Sequence, residues 1–112
     1  MSEKVDEALR ACIRACIEEC VEYLCKQAQE RIVEFTSADI ERLLAERYPG
    51  IWAQALLKYG VEGRFTIRTL VGITLDALSR RGIIQKIGEK PAPPDWGFSR
   101  IVAYRCKSSE GI

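Results

Sequence analysis

The chain has 112 residues, 47% of them hydrophobic, and a formal charge of only +1. That suits one compact domain with its own core, and no apolar run approaches the length of a membrane span. His is absent, which removes the commonest general base and the commonest zinc ligand and argues against an enzyme. Asn is absent as well, and Met1 is the only methionine. Together with abundant Glu, Lys and Arg, this composition is the one expected of a heat-adapted, thermophilic source. The charged start M-S-E-K-V-D-E has no apolar signal core. The expected location is therefore the cytoplasm, in association with the nucleoid.

From residue 3 to residue 30 no Pro or Gly interrupts the chain. Val5, Leu9, Cys12, Ile13, Cys16, Ile17, Cys20 and Leu24 recur on one broad face at 100° per residue, which predicts a long amphipathic helix. Asp6 with Arg10, Arg14 with Glu18, and Glu22 with Lys26 line the other side at i,i+4 spacing. Such a helix is roughly 40 Å long, more than a small domain covers. Leu9, Cys12, Ile13, Cys16, Ile17, Cys20 and Leu24 are thus expected to form a homodimer interface.

R-I-V-E-F at 31–35 reads as a short strand, and T-S-A-D at 36–39 as a capping box with Asp39 in the reciprocal role. Ile40, Leu43, Leu44 and Tyr48 give a second helix its apolar stripe, which Pro49-Gly50 is expected to end. A short third helix follows over 52–59, with Trp52, Ala55, Leu56 and Tyr59 inward. Thr66 caps a fourth, whose inward stripe is Ile67, Leu70, Val71, Thr74 and Leu78. Gly82 stands where a left-handed C-terminal cap is needed, with apolar Ile83 beyond it. Residues 84–90 and 100–107 read as two strands. The connection between them, with Pro91, Pro93 and Pro94, is too long for a tight turn.

The small net charge hides an asymmetry. Residues 1–57 carry seven Lys/Arg against eleven Asp/Glu, whereas residues 58–112 carry ten against five. The basic half is the one with the fourth helix and the two strands, as expected of a surface that meets phosphate.

T-I-R-T-L at 66–70 and L-D-A-L-S-R-R-G-I-I at 75–84 resemble a recognition helix running into the first wing strand of a winged helix-turn-helix protein. The resemblance covers residues 8–107. It implies a mainly α fold with a small antiparallel β-sheet, in one domain: a long N-terminal helix over 1–30, a winged-helix body over 31–107 and a tail over 108–112. It also implies a DNA-binding protein, a small transcriptional regulator or chromosome-associated factor. The helix 66–81 would enter the major groove of double-stranded DNA and the wing 91–99 would touch backbone or minor groove. The same fold also serves in protein–protein contact within transcription or replication assemblies. Two departures stand out: about eighteen residues separate the second helix from the one capped by Thr66, and the first helix is about twice the family's usual length.

On that reading Arg64, Thr66, Arg68, Thr69, Gly72, Arg80, Lys90, Trp96 and Arg100 are the candidate nucleic-acid contacts. Arg68 and Thr69 lie in the first turn of the recognition helix, where Arg can hold guanine bidentately and Thr can meet a base edge. Gly72 either admits DNA closely or packs against another helix. Asp76 would repel phosphate unless it pairs with Arg80 at i,i+4. Arg64, Lys86, Lys90, Arg100, Arg105 and Lys107 are candidate phosphate contacts. Trp96 and Phe98 either wedge or stack against nucleic acid, or fold back onto the prolines of the tip.

Cys12, Cys16, Cys20 and Cys25 follow C-x3-C-x3-C-x4-C, with the first three on the apolar face. Cysteines in such a row pack as small hydrophobes. A disulfide is the alternative, directed to Cys106 or to a twin helix, because cysteines four apart on one helix bridge poorly. A metal or cluster needs ligands that converge, which a straight helix does not supply. The expectation is no cofactor, no metal and no small-molecule substrate.

Overall fold

The computed structural model describes residues 2–27, 33–60, 62–63, 65–96 and 100–107, with side chains from residue 7 onward. Its elements run α1 (Ser2–Gln27), β1 (Glu34–Thr36), α2 (Ser37–Arg47), α3 (Pro49–Tyr59), α4 (Ile67–Arg80), β2 (Ile84–Pro91) and β3 (Arg100–Cys106). A single 3-10 turn, Pro94–Trp96, lies between the last two strands. The chain is mainly helical with a small antiparallel sheet, as its sequence patterns imply.

The stripe on α1 closes against the chain's own α2, α3 and α4. Ile13, Ile17 and Cys20 are fully buried there, Cys16 and Val21 nearly so, and Leu9 and Leu24 pack at the margins. Burying each large aliphatic side chain contributes about 1.5–3 kcal/mol. This corrects the expected dimer interface: Leu9, Ile13, Cys16, Ile17, Cys20 and Leu24 meet their own domain, and only Cys12 of that set is exposed. The expectation assumed a body too small to cover the helix. Three helices beneath α1 are enough.

Cys25 and Cys106 form a disulfide across 81 positions, tying the last turn of α1 to the end of β3. Cys16 and Cys20 are buried free thiols, while Cys12 is free and exposed. Burial raises the Cys16 pKa and lifts that of Cys20 to about 11, so both behave as packing residues rather than nucleophiles. Among the described residues no group of His, Cys, Asp or Glu is arranged to hold a metal ion.

Thr36 ends β1 and caps α2, its N–H donating to the Asp39 carboxylate at 2.8 Å. The break after α2 differs from the expectation at Pro49-Gly50. Tyr48 alone separates the two helices, and Pro49 occupies the first position of α3. A proline there loses no hydrogen bond and arrives with helical φ. It starts the next helix rather than stopping the last.

Thr66 and Thr69 cap α4 reciprocally: the Thr66 hydroxyl accepts from the Thr69 N–H at 3.3 Å, and the Thr69 hydroxyl accepts from the Thr66 N–H at 3.2 Å. Ile67, Leu70, Val71, Thr74, Leu75 and Leu78 are buried on its inner face. Thr74 satisfies its hydroxyl by donating to the Leu70 carbonyl at 2.8 Å. At the other end Gly82 takes φ +79°, and the Ile83 N–H reaches the Leu78 carbonyl at 3.0 Å. That six-residue closure needs a left-handed residue, which Gly supplies without a Cβ clash.

The sheet order is β1-β3-β2, antiparallel throughout. Phe35 stands opposite Tyr104, with ring centroids 5.9 Å apart, and Ile84 opposite Cys106. A bulge between Lys86 and Gly88 shifts the β2 register, which accounts for the loose alternation of its sequence. Of the expected strand at 31–35, residues 31 and 32 lie outside the described residues, and pairing begins at Glu34.

Candidate nucleic-acid interface

The strand pair β2–β3 lies beside α4 because Gly82 reverses the chain within two residues of the helix end. Between them runs an open groove of about 370 Å³. Arg68, Gly72 and Asp76 line it from α4, Lys86 and Arg100 from the hairpin, Trp96 from the tip and Tyr104 from the sheet. Three cations and one carboxylate thus share a concave wall. Gly72 faces open space: a Cβ built on it meets nothing within 4 Å. Among the described residues no helix packs against it.

The outer cations are mostly paired within the chain. Arg80 meets Asp76 at 2.9 Å, the i,i+4 pair expected. Lys90 meets Glu34 at 2.9 Å and Arg105 meets the same carboxylate at 3.2 Å. Both cations hold the Glu34 pKa below its ordinary value, Lys90 foremost. Arg100 donates to the Glu89 side chain at 3.3 Å and to its carbonyl at 3.1 Å. Arg81, Lys86 and Lys107 form no ion pair among the described residues. Exposed pairs of this kind contribute little to stability and leave their cations exchangeable.

The first turn of α4 departs from the expectation. Thr66 is buried as the cap, and Thr69 uses its hydroxyl on that cap. Arg68 turns inward: its side chain is 21% exposed, with Nε 3.6 Å from a Glu41 oxygen. The Trp96 ring covers the guanidinium at 4.0 Å. The two residues expected to read base edges are therefore engaged inside the chain. The reason is local for Thr69, which supplies the second half of a capping box, and tertiary for Arg68, which meets the Glu41 carboxylate on α2. Trp96 meets Arg68, a contact that neither arrangement considered for it included. Arg64 and Phe98 lie outside the described residues.

Glu41 is the residue that sequence reasoning missed. It is 7% exposed on α2, and burial raises its pKa from the ordinary 4.5 to about 7, with Asp95 adding to the rise and Arg68 opposing it. Its Oε2 and the Arg68 Nε are both buried without a hydrogen-bond partner. A signal existed, since Glu41 adjoins Ile40 and precedes Leu44 by three on the apolar face of α2. A carboxylate so close to the stripe demands a partner.

Ile73 and Ala77 are exposed on α4, Ile73 at 50%, and Leu57 on α3 is 88% exposed. Among the described residues no helix is long and apolar enough to cross a membrane. Comparison with protein-family models, curated proteins and solved structures found no match for this chain.

Proposed function

We propose that this chain is a winged-helix protein that binds duplex DNA, with α4 as the groove-facing helix and the β2–β3 hairpin as the wing. The order α1-β1-α2-α4-β2-β3, with β3 central in the sheet, supports the fold reading; α3 is then an insertion before the recognition helix. The observation that carries the functional reading is the groove wall itself. Lys86 and Arg100 on the hairpin converge on α4 beside the open space at Gly72. Phosphate contact then falls to Lys86, Lys90, Arg100 and Arg81, whose internal pairs are weak or absent. Arg80 remains a contact if phosphate outcompetes Asp76. Exposed Ile73 offers an apolar contact of the kind a thymine methyl accepts. A transcriptional or chromosomal role in the nucleoid follows from that activity. One copy suffices, since the reading invokes no second chain.

The test is fluorescence anisotropy with a mixed-sequence duplex between 50 and 300 mM salt, values on the order used to resolve counterion release. Affinity should fall steeply with salt, and the Lys86→Ala/Arg100→Ala double variant should lower the log–log slope by about 2. Absence of binding at the lowest salt overturns the reading. The second reading, a winged helix that docks protein, would then stand on Leu57 and Ile73, whose apolar surface is exposed.

A further inference from the structure

The first turn of α4 is engaged within the chain. Thr66 and Thr69 complete each other's cap, and Arg68 meets Glu41 at 3.6 Å and the Trp96 ring at 4.0 Å. Full exposure begins one turn later. Ile73 is 50% exposed, and Ala77 and Arg80 are exposed beyond it. Their spacing at i, i+4 and i+7 places all three on one strip of the helix, with Asp76 beside it. Gly72 leaves the flank of that strip bare, since a Cβ built on it meets nothing within 4 Å. An outside surface can come close there.

The strip carries two kinds of base-reading chemistry. Ile73 and Ala77 are apolar, suited to the methyl group that thymine presents in the major groove. Arg80 is a cation already held in place: its Nη2 lies 2.9 Å from the Asp76 Oδ2, while its side chain stays 81% exposed. A guanidinium oriented by a carboxylate loses less rotamer freedom on binding and offers its other N–H groups in a set plane. That plane suits the paired O6 and N7 acceptors of guanine. The carboxylate also repels phosphate oxygens. The pair is therefore better matched to a base edge than to the backbone.

We propose that the second half of α4 reads DNA sequence: Arg80, positioned by Asp76, holds a guanine edge, and Ile73 with Ala77 packs on thymine methyl groups. This rests on the DNA-binding reading above and adds a base preference to it. Arg80 is the reading residue, and Asp76 acts through it. Ile73 and Arg80 are seven positions apart, about 10 Å along the helix axis and close to three base-pair steps. For a helix lying along the groove, the preferred duplex holds thymine and guanine about three base pairs apart.

The wild type is used to enrich binders from a duplex pool with a randomised centre. The enriched duplex is then remade with uracil for thymine, which removes only the methyl group, or with 7-deazaguanine for guanine, which removes only the N7 acceptor. Anisotropy should show about fourfold weaker binding with uracil and about tenfold weaker binding with 7-deazaguanine. Ile73→Ala should shrink the uracil effect alone, and Arg80→Ala should abolish the 7-deazaguanine effect. Asp76→Ala should bind unselected duplex more tightly, through loss of a negative charge, yet discriminate less against 7-deazaguanine. A carboxylate that only repels phosphate would instead raise affinity for both duplexes equally. That result, or enrichment of neither thymine nor guanine, or equal binding to the remade duplexes, overturns the inference and leaves the DNA reading intact. Failure of the wild type to bind any duplex at low salt overturns the DNA reading itself, and the base preference with it.

Discussion

The seam between α1 and the helices beneath it and the seam between the hairpin tip and α4 both turn inward side chains that the sequence marks for outside contact. They differ in what burial leaves behind. Along α1, Ile13, Ile17 and Cys20 lose all exposure and carry no strongly polar atom that needs a partner. At α4, Arg68 Nε and Glu41 Oε2 are buried atoms with no hydrogen-bond partner. The first seam is complete once closed, whereas the second keeps an electrostatic cost that another partner could relieve. A dry contact and an incompletely paired polar one look alike in a list of buried residues. Their unsatisfied atoms tell them apart.

The largest expected effect tests how firmly the first seam is pinned. Reduction of Cys25–Cys106, or Cys106→Ser, should lower stability by about 4 kcal/mol, since the bond closes a loop of 81 positions. Urea denaturation with and without reductant measures this. A shift of less than ~1 kcal/mol would mean that packing alone fixes α1.

The second prediction concerns pH. A carboxyl whose pKa is raised in the folded chain contributes its full stability below its unfolded value of 4.5, and loses it as pH rises through about 7. Between those values the wild type should therefore lose roughly 3 kcal/mol from Glu41, and Glu41→Gln should flatten that decline. Glu34, whose pKa is lowered, acts with the opposite sign: its contribution is present above 4.5 and disappears as pH falls below it. The two windows are separate, so denaturation at a series of pH values distinguishes them. The smallest effect is Ile13→Val, which removes one methylene from the dry seam. It should cost about 1 kcal/mol at every pH. A pH-dependent cost there would break the contrast between the two seams.

The helices and strands were legible because each has a local cause. The Thr36 and Thr66 caps, the inward stripe of α4 and the Gly82 reversal all act within four or five residues, so spacing alone reveals them. Pro49 was ambiguous for the same local reason: proline both ends a helix and begins one, and only the position of Tyr48 decides between them. The Asp76–Arg80 pair was legible from its i,i+4 spacing, and the structure contains it.

The candidate interface was legible only in outline. Its charge asymmetry and its helix-then-hairpin order are properties of the chain read in one direction. The fate of Arg68 depends instead on Glu41, 27 positions earlier, and on Trp96, 28 positions later, which no periodicity connects. The dimer face failed similarly, because an apolar stripe states that it will be covered and not by what. The sequence by itself determined where each element starts, stops and hides its apolar side, since propensity, capping and hydrophobic period are short-range forces. Only the tertiary structure decided which buried faces meet and which cation meets which carboxylate. Those choices compare contacts across the whole chain, at distances that local pattern does not encode.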